Sequence, residues 1–214
     1  MEPVLRKLRR KWPDEITWQY CMGGLIPDWK TFSDAINHVS RPAQMGPVWM
    51  HAARVGNVPI MHSIWIKDPP ASSYLACIAF KCVQFQSEEH AAMYLNSMRQ
   101  ACMIHGINIS RLDILIQLAE EFQKEIFPAF DLRQFKRDMQ SGKGRDAFRE
   151  DMHEIKVRDI HRMPTFLVQK ENARSLLISG YQSYEQMEER FIQLFDLPKK
   201  VCGVDCDQRC KKNI

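Results

Sequence analysis

Residues 160–169, IHRMPTFLVQ, set a proline directly before an apolar run, and this constrains the fold more than any other stretch of the chain. Proline has no backbone N–H to give to a ladder, so within a sheet it stands at the first position of a strand or on an edge. Pro164 therefore opens a strand, Thr165–Val168. A polar turn at Lys170, Glu171 and Asn172 follows, then a second apolar run, Leu176–Ile178, closed by Gly180. Together these make a hairpin with proline at its entrance. On the residues alone, Pro164 begins the strand through an ordinary trans bond.

The remainder is mostly helical in pattern. Val4, Leu5, Leu8 and Trp12 recur at helical spacing behind Pro3, and Pro13-Asp14 ends the run. A strand is expected over Ile16–Cys21, stopped by Gly23-Gly24. Residues 25–70 carry prolines at 27, 42, 47, 59, 69 and 70, too many for regular strands, and leave room for one or two short helices. From Ser72 onward, apolar spacings of three and four run through Ser72–Phe85, Ser87–His105, Ser110–Ile126, Asp131–Gln140 and Arg145–Asp159. Ser and Asp stand at cap positions, and Gly106 and Gly142 act as stops. A last amphipathic helix is expected over Ser183–Phe195.

At 214 residues, with 45% apolar and 26% charged side chains, the chain is long enough to bury a full core and ordinary for a globular protein. No apolar run approaches the ~18 residues of a membrane span, and Met1 leads straight into a charged amphipathic pattern and not a signal peptide. A cytoplasmic protein is expected, with no membrane partner. The net charge is +4, and the basic excess sits at the two ends. Arg6, Lys7, Arg9, Arg10 and Lys11 stand against Glu2, and Lys199, Lys200, Arg209, Lys211 and Lys212 against Asp205 and Asp207, while the middle is slightly acidic. No aromatic platform interleaves these basic residues, so nucleic acid is not an expected partner.

The order of helix, strand, helical block, proline-led hairpin and helix resembles the DsbA family of the thioredoxin superfamily, especially its FrnE-like and SpxH-like members. MEPVLRKL resembles the helix after that family's active site, and MGGLIP the end of its second strand. SSYLACIAFKC resembles the helix that opens its insertion, GKGRDAFREDM the link back, and MPTFLV with SGYQSYEQM the final hairpin and helix. The likeness runs from Met1 to about Leu197. It implies an α/β, thioredoxin-like fold with a large all-helical insertion and its first strand absent from this sequence. The organisation then reads as 1–70, first part of the thioredoxin-like domain; 71–159, helical insertion; 160–197, hairpin and last helix; and 198–214, a cysteine-rich tail.

The resemblance also assigns a site. In that family the proline at the hairpin entrance looks out beside the active site after a cis bond, and the residue before it pairs with an extended substrate peptide, a form of strand addition. Carried over, Met163, Pro164 and Thr165 form a substrate-binding loop for a peptide or a protein thiol or disulfide. The family's chemistry uses Cys-x-x-Cys at a helix start, where the first thiol's pKa is lowered. Here Cys21, Cys77, Cys82, Cys102, Cys202, Cys206 and Cys210 include no pair three apart, so no catalytic residue is assigned. The family's first strand is central, and losing it would leave buried backbone groups unpaired at a cost of several kcal/mol. The expectation is therefore that Met1 is an internal methionine, with the strand and the thiols ahead of it. The alternative is a degenerate member whose gap is closed by a strand from residues 25–70 or by a partner chain. An open edge of this kind is expected to drive oligomer formation.

No cofactor or metal is expected. Cys202, Cys206 and Cys210, four apart, would align on one helix face, but no second ligand pair completes a zinc site. Cys77, Cys82 and Cys102 read as packed hydrophobes, SGKG at 141–144 as an interhelical turn, and His51, His62 and His161 as scattered. Trp49, Met50, Trp65 and Met163 read as core rather than groove. Two functions follow. One is a DsbA-like thiol-disulfide oxidoreductase or isomerase; the other is a non-catalytic peptide-binding or protease-adaptor module of the SpxH type.

Overall fold

The computed structural model describes residues 2–126, 128–170 and 175–197. In chain order the elements are α1 (Glu2–Lys11), a 3-10 turn at Pro42–Gln44, α2 (Met45–Gly56), α3 (Ile64–Lys67), α4 (Tyr74–Gln84) and α5 (Glu88–Arg99). A π-helical stretch, Gln100–Ile104, continues α5. Then come α6 (Leu112–Ile126), α7 (Leu132–Ser141), α8 (Lys143–Val157), β1 (Thr165–Val168), β2 (Leu176–Ser179) and α9 (Tyr184–Phe195). They fall into two compact units, one formed by residues up to Trp18 and from Ile160 onward, the other by Gln19–Asp159.

The larger unit is all helical. Ser87 and Asp131 cap α5 and α7 by accepting the His90 and Gln134 N–H groups, which satisfies donors that a helix start leaves open. Its core joins Phe80 and Val83 of α4 to Tyr94, Leu115, Phe122, Phe135 and Phe148. The buried Tyr94 hydroxyl donates to the Leu115 carbonyl at 2.7 Å. Helices α4 and α8 meet closely because Gly144 has no side chain: a Cβ there would collide with Cys82 Sγ and come within 3.0 Å of the Ile78 carbonyl oxygen. Where one α-helix is expected over Ser87–His105, the π stretch intervenes. It turns the chain from Met98, in this core, to Cys102, in a second core with Ile64 and Trp65.

Residues 19–70, assigned from sequence to the thioredoxin-like part, group instead with the helical unit. Two anchors account for this. The Met22 N–H donates to Asp151 Oδ2 at 2.8 Å and the Ile26 N–H to Ser73 Oγ at 2.9 Å.

The smaller unit packs α1 and α9 with the hairpin around Val4, Leu5, Leu8, Trp12, Val168, Ile178, Met187 and Phe191. Lys11 Nζ reaches Glu188 Oε1 at 2.7 Å. Burial raises the Glu188 carboxyl, and the Lys11 and Tyr184 hydrogen bonds outweigh it, so the group lies below its ordinary pKa. Ser183 and Gln186 form a reciprocal cap at the start of α9.

The strand expected over Ile16–Cys21 is corrected. Its side chains alternate as a strand's would, with Ile16, Trp18 and Tyr20 half-buried between exposed Thr17, Gln19 and Cys21. A ladder also needs a neighbour about 4.8 Å away. Among the described residues the only sheet is β1 with β2, antiparallel, Phe166 opposite Ile178. Residues 25–70 supply no substitute strand there, only a single bridge between Asp34 and Val39.

Candidate functional site

The hairpin entrance is built by hydrogen bonds from both sides. The Gly180 N–H donates to the Pro164 carbonyl at 2.7 Å, adding a bond beyond the Thr165–Ser179 pair that ends the ladder. Gly180 sits at φ +83°, a conformation that side chains rarely adopt. The Thr165 hydroxyl donates to the Arg162 carbonyl at 2.6 Å and lies 2.9 Å from the Ser179 hydroxyl. Since Thr165 has one hydroxyl proton and a carbonyl only accepts, Ser179 is the donor in that second bond.

These contacts fold residues 162–165 into a turn. The Met163–Pro164 bond is cis. Met163 is 38% exposed and Pro164 is exposed. Among the described residues, neither the N–H nor the C=O of Met163 makes a hydrogen bond, which leaves one donor and one acceptor side by side. Arg162 and Ser179 belong to this arrangement but have no signature in the sequence, whereas Gly180 is marked there only as the end of the second strand. Only the hairpin register, which sets Thr165 opposite Ser179, points to them.

None of the described thiols is shifted toward the thiolate. Cys77 and Cys102 are pushed up to about 11 by burial. Burial, and then the Asp138 carboxylate, push Cys82 to about 12. Cys21, though exposed by surface area, is raised to about 11 by desolvation and by Asp151, whose backbone carbonyl accepts its S–H at 3.6 Å. A thiolate nucleophile needs the opposite shift. Cys202, Cys206 and Cys210 lie outside the described residues.

Other sequence candidates sit apart. His51 and His62 are exposed in the larger unit, and His161 is exposed in the smaller one. Trp65 is buried and meets Trp49 edge to face at 5.0 Å. Trp29 and Phe32, not singled out by sequence, extend that cluster. Met50 is 45% exposed, so neither it nor Met163 is core as expected. Among the described residues no group of three potential ligands is placed to hold a metal, and no helix is long and apolar enough to cross a membrane.

Residues 1–189 match the family model described as thioredoxin. The chain belongs to the thioredoxin family. A crystal structure of a putative protein disulfide isomerase from Nitrosomonas europaea shares the fold with a TM-score of 0.71 at 16% identity, over 90% of this chain and 89% of that one. The ClpXP adapter protein SpxH of Halalkalibacterium halodurans is 24% identical over 86% of this chain, and SpxH of Bacillus subtilis 26% over 93%. The chain spans 58% and 64% of the length of these two curated relatives. The thioredoxin-like fold with helical insertion, expected from the sequence, is thus the fold of this family member.

Proposed function

We propose that this thioredoxin-family chain is a peptide-binding adapter module, in which Met163, Pro164 and Thr165 hold an extended segment of a protein client without performing thiol chemistry on it. One observation carries the reading. Met163 is 38% exposed and its N–H and C=O are without partners among the described residues, while each described thiol is held well above the range in which it ionises at neutral pH. The open backbone groups support binding, and among the described residues no thiol shifted toward the thiolate supports chemistry. An extended peptide would add to this edge through main-chain bonds. The SpxH proteins are named as ClpXP adapters, and a cytoplasmic module that brings a client to ClpXP is the corresponding role here.

Two assays test the reading. Insulin reduction with dithiothreitol is expected to stay at background. Activity that disappears on changing Cys21, Cys77, Cys82 or Cys102 to Ser would overturn the non-catalytic reading. In the second assay, host ClpXP is immobilised and this chain is passed over it. Specific binding is expected, and its absence at micromolar concentration would overturn the adapter role.

A further inference from the structure

In the larger unit, the π turn that ends α5 and the adjoining face of α6 enclose an open cavity of about 200 Å³. Gln100 and His105 stand on one wall. The wide turn brings together residues five apart, and the His105 N–H donates to the Gln100 carbonyl at 3.0 Å. Such π turns are rare in proteins and recur at functional sites. Leu118, Glu121, Phe122 and Glu125 form the other wall, since spacings of three and four share one helix face.

The charges on that wall are not balanced from within. Among the described residues neither Glu121 nor Glu125 has an ion pair, and Glu121 Oε1 accepts only the Gln117 amide at 3.1 Å. The neighbouring Glu120, on another face, pairs with Lys136 at 2.8 Å. Lys124 lies between the two glutamates in sequence but does not line the cavity. Like charges four apart on a helix repel one another, so a cation held between them would relieve that repulsion.

Size and lining narrow the ligand. The cavity is smaller than the ~300–1,000 Å³ that small-molecule sites occupy, and it suits one long side chain. Buried Phe122 and half-buried Leu118 form an apolar floor for a methylene stem, with two exposed carboxylates at the rim for a charged head. A guanidinium fits better than an ammonium, because its planar fork of donors matches carboxylate geometry. We propose that this groove receives an arginine side chain of a protein partner, its head between Glu121 and Glu125. The site shares no residue with the hairpin, so either assignment stands or falls without the other.

The test is an NMR titration of the ¹⁵N-labelled chain with the N-acetyl-Gly-Arg-Gly amide, and with the same peptide carrying neutral citrulline in place of arginine. The arginine peptide is expected to shift the amides of Gln100, His105, Glu121 and Glu125, with a Kd of roughly millimolar. Citrulline should bind about fivefold more weakly, the scale of one exposed ion pair. E121Q combined with E125Q should bring the arginine peptide to the citrulline level with an unchanged melting temperature. Equal binding of the two peptides by the unaltered chain, shifts confined to other residues, or no shifts at about 10 mM peptide, well above that Kd, would each overturn the proposal.

Discussion

Lys81 Nζ lies 3.0 Å from Asp151 Oδ1, with only 9% and 14% of the two side chains exposed. The other oxygen of the same carboxylate accepts the Met22 N–H. One carboxylate therefore neutralises a buried ammonium on α4 and ties the segment after Trp18 to α8. Removing one partner of such a pair leaves an uncompensated buried charge. Asp151→Ala is expected to cost roughly 3–5 kcal/mol in urea unfolding, whereas Lys81→Met with Asp151→Leu should cost less than Asp151→Ala alone. A double variant at least as unstable as the single would show that the Met22 anchor, and not the charge pair, dominates.

The helices of 72–159 were legible because their cues are local. The caps at Ser87 and Asp131, like that of Ser183 on the last helix, and the apolar spacing act within one or two turns. The hairpin was legible for the same reason. Ile16–Cys21 misled because its alternating burial is real while its ladder depends on a neighbour that local pattern does not contain. Lys81 joining a residue 70 positions away was equally invisible, since a lysine in an apolar helix reads as a solvated head. At the hairpin, Met163, Pro164 and Thr165 came from resemblance, and the bonds from Ser179 and to Arg162 emerged only with the register.

The thiols carry a pH dependence of definite sign. A cysteine raised from its ordinary value near 8.5 to about 11 or 12 in the folded chain binds its proton more tightly folded than unfolded. Its contribution to stability is complete below the unfolded value and is lost as pH rises through the folded one. Urea midpoints are therefore expected to fall between about pH 8.5 and 11, and less so for Cys82→Ala. In a variant with Cys202, Cys206 and Cys210 changed to Ser, an aromatic disulfide reagent at pH 8 should label the native chain more slowly than free cysteine. Labelling as fast as free cysteine would contradict the raised values.

Gly144 tests the contact of α4 with α8. The collision of an added Cβ with Cys82 Sγ can be relieved by a smaller side chain, whereas the Ile78 carbonyl is fixed in its helix. Gly144→Ala is expected to destabilise by about 1–3 kcal/mol. Cys82→Ala in the same chain should recover part of that loss and Cys82→Ser little of it. Full recovery by Cys82→Ala would mean that the carbonyl contact is immaterial.

At the hairpin entrance, the direction of the hydroxyl chain decides which substitution matters. Ser179 donates to Thr165, and Thr165 donates to the Arg162 carbonyl. Ser179→Ala therefore removes one bond and leaves the Arg162 contact intact, while Thr165→Val removes both. These groups are near water, so the cost to stability is only about 0.5–1.5 kcal/mol per bond. The effect on binding should be larger if the turn presents the Met163 backbone. Thr165→Val is expected to weaken capture of an extended client peptide more than Ser179→Ala, and Thr165→Ser to restore it. The comparison is made by calorimetry on variants of matched melting temperature. Ser179→Ala equalling or exceeding Thr165→Val would show that the bond to Arg162 does not set the loop, and that its shape is held by the Gly180–Pro164 hydrogen bond alone.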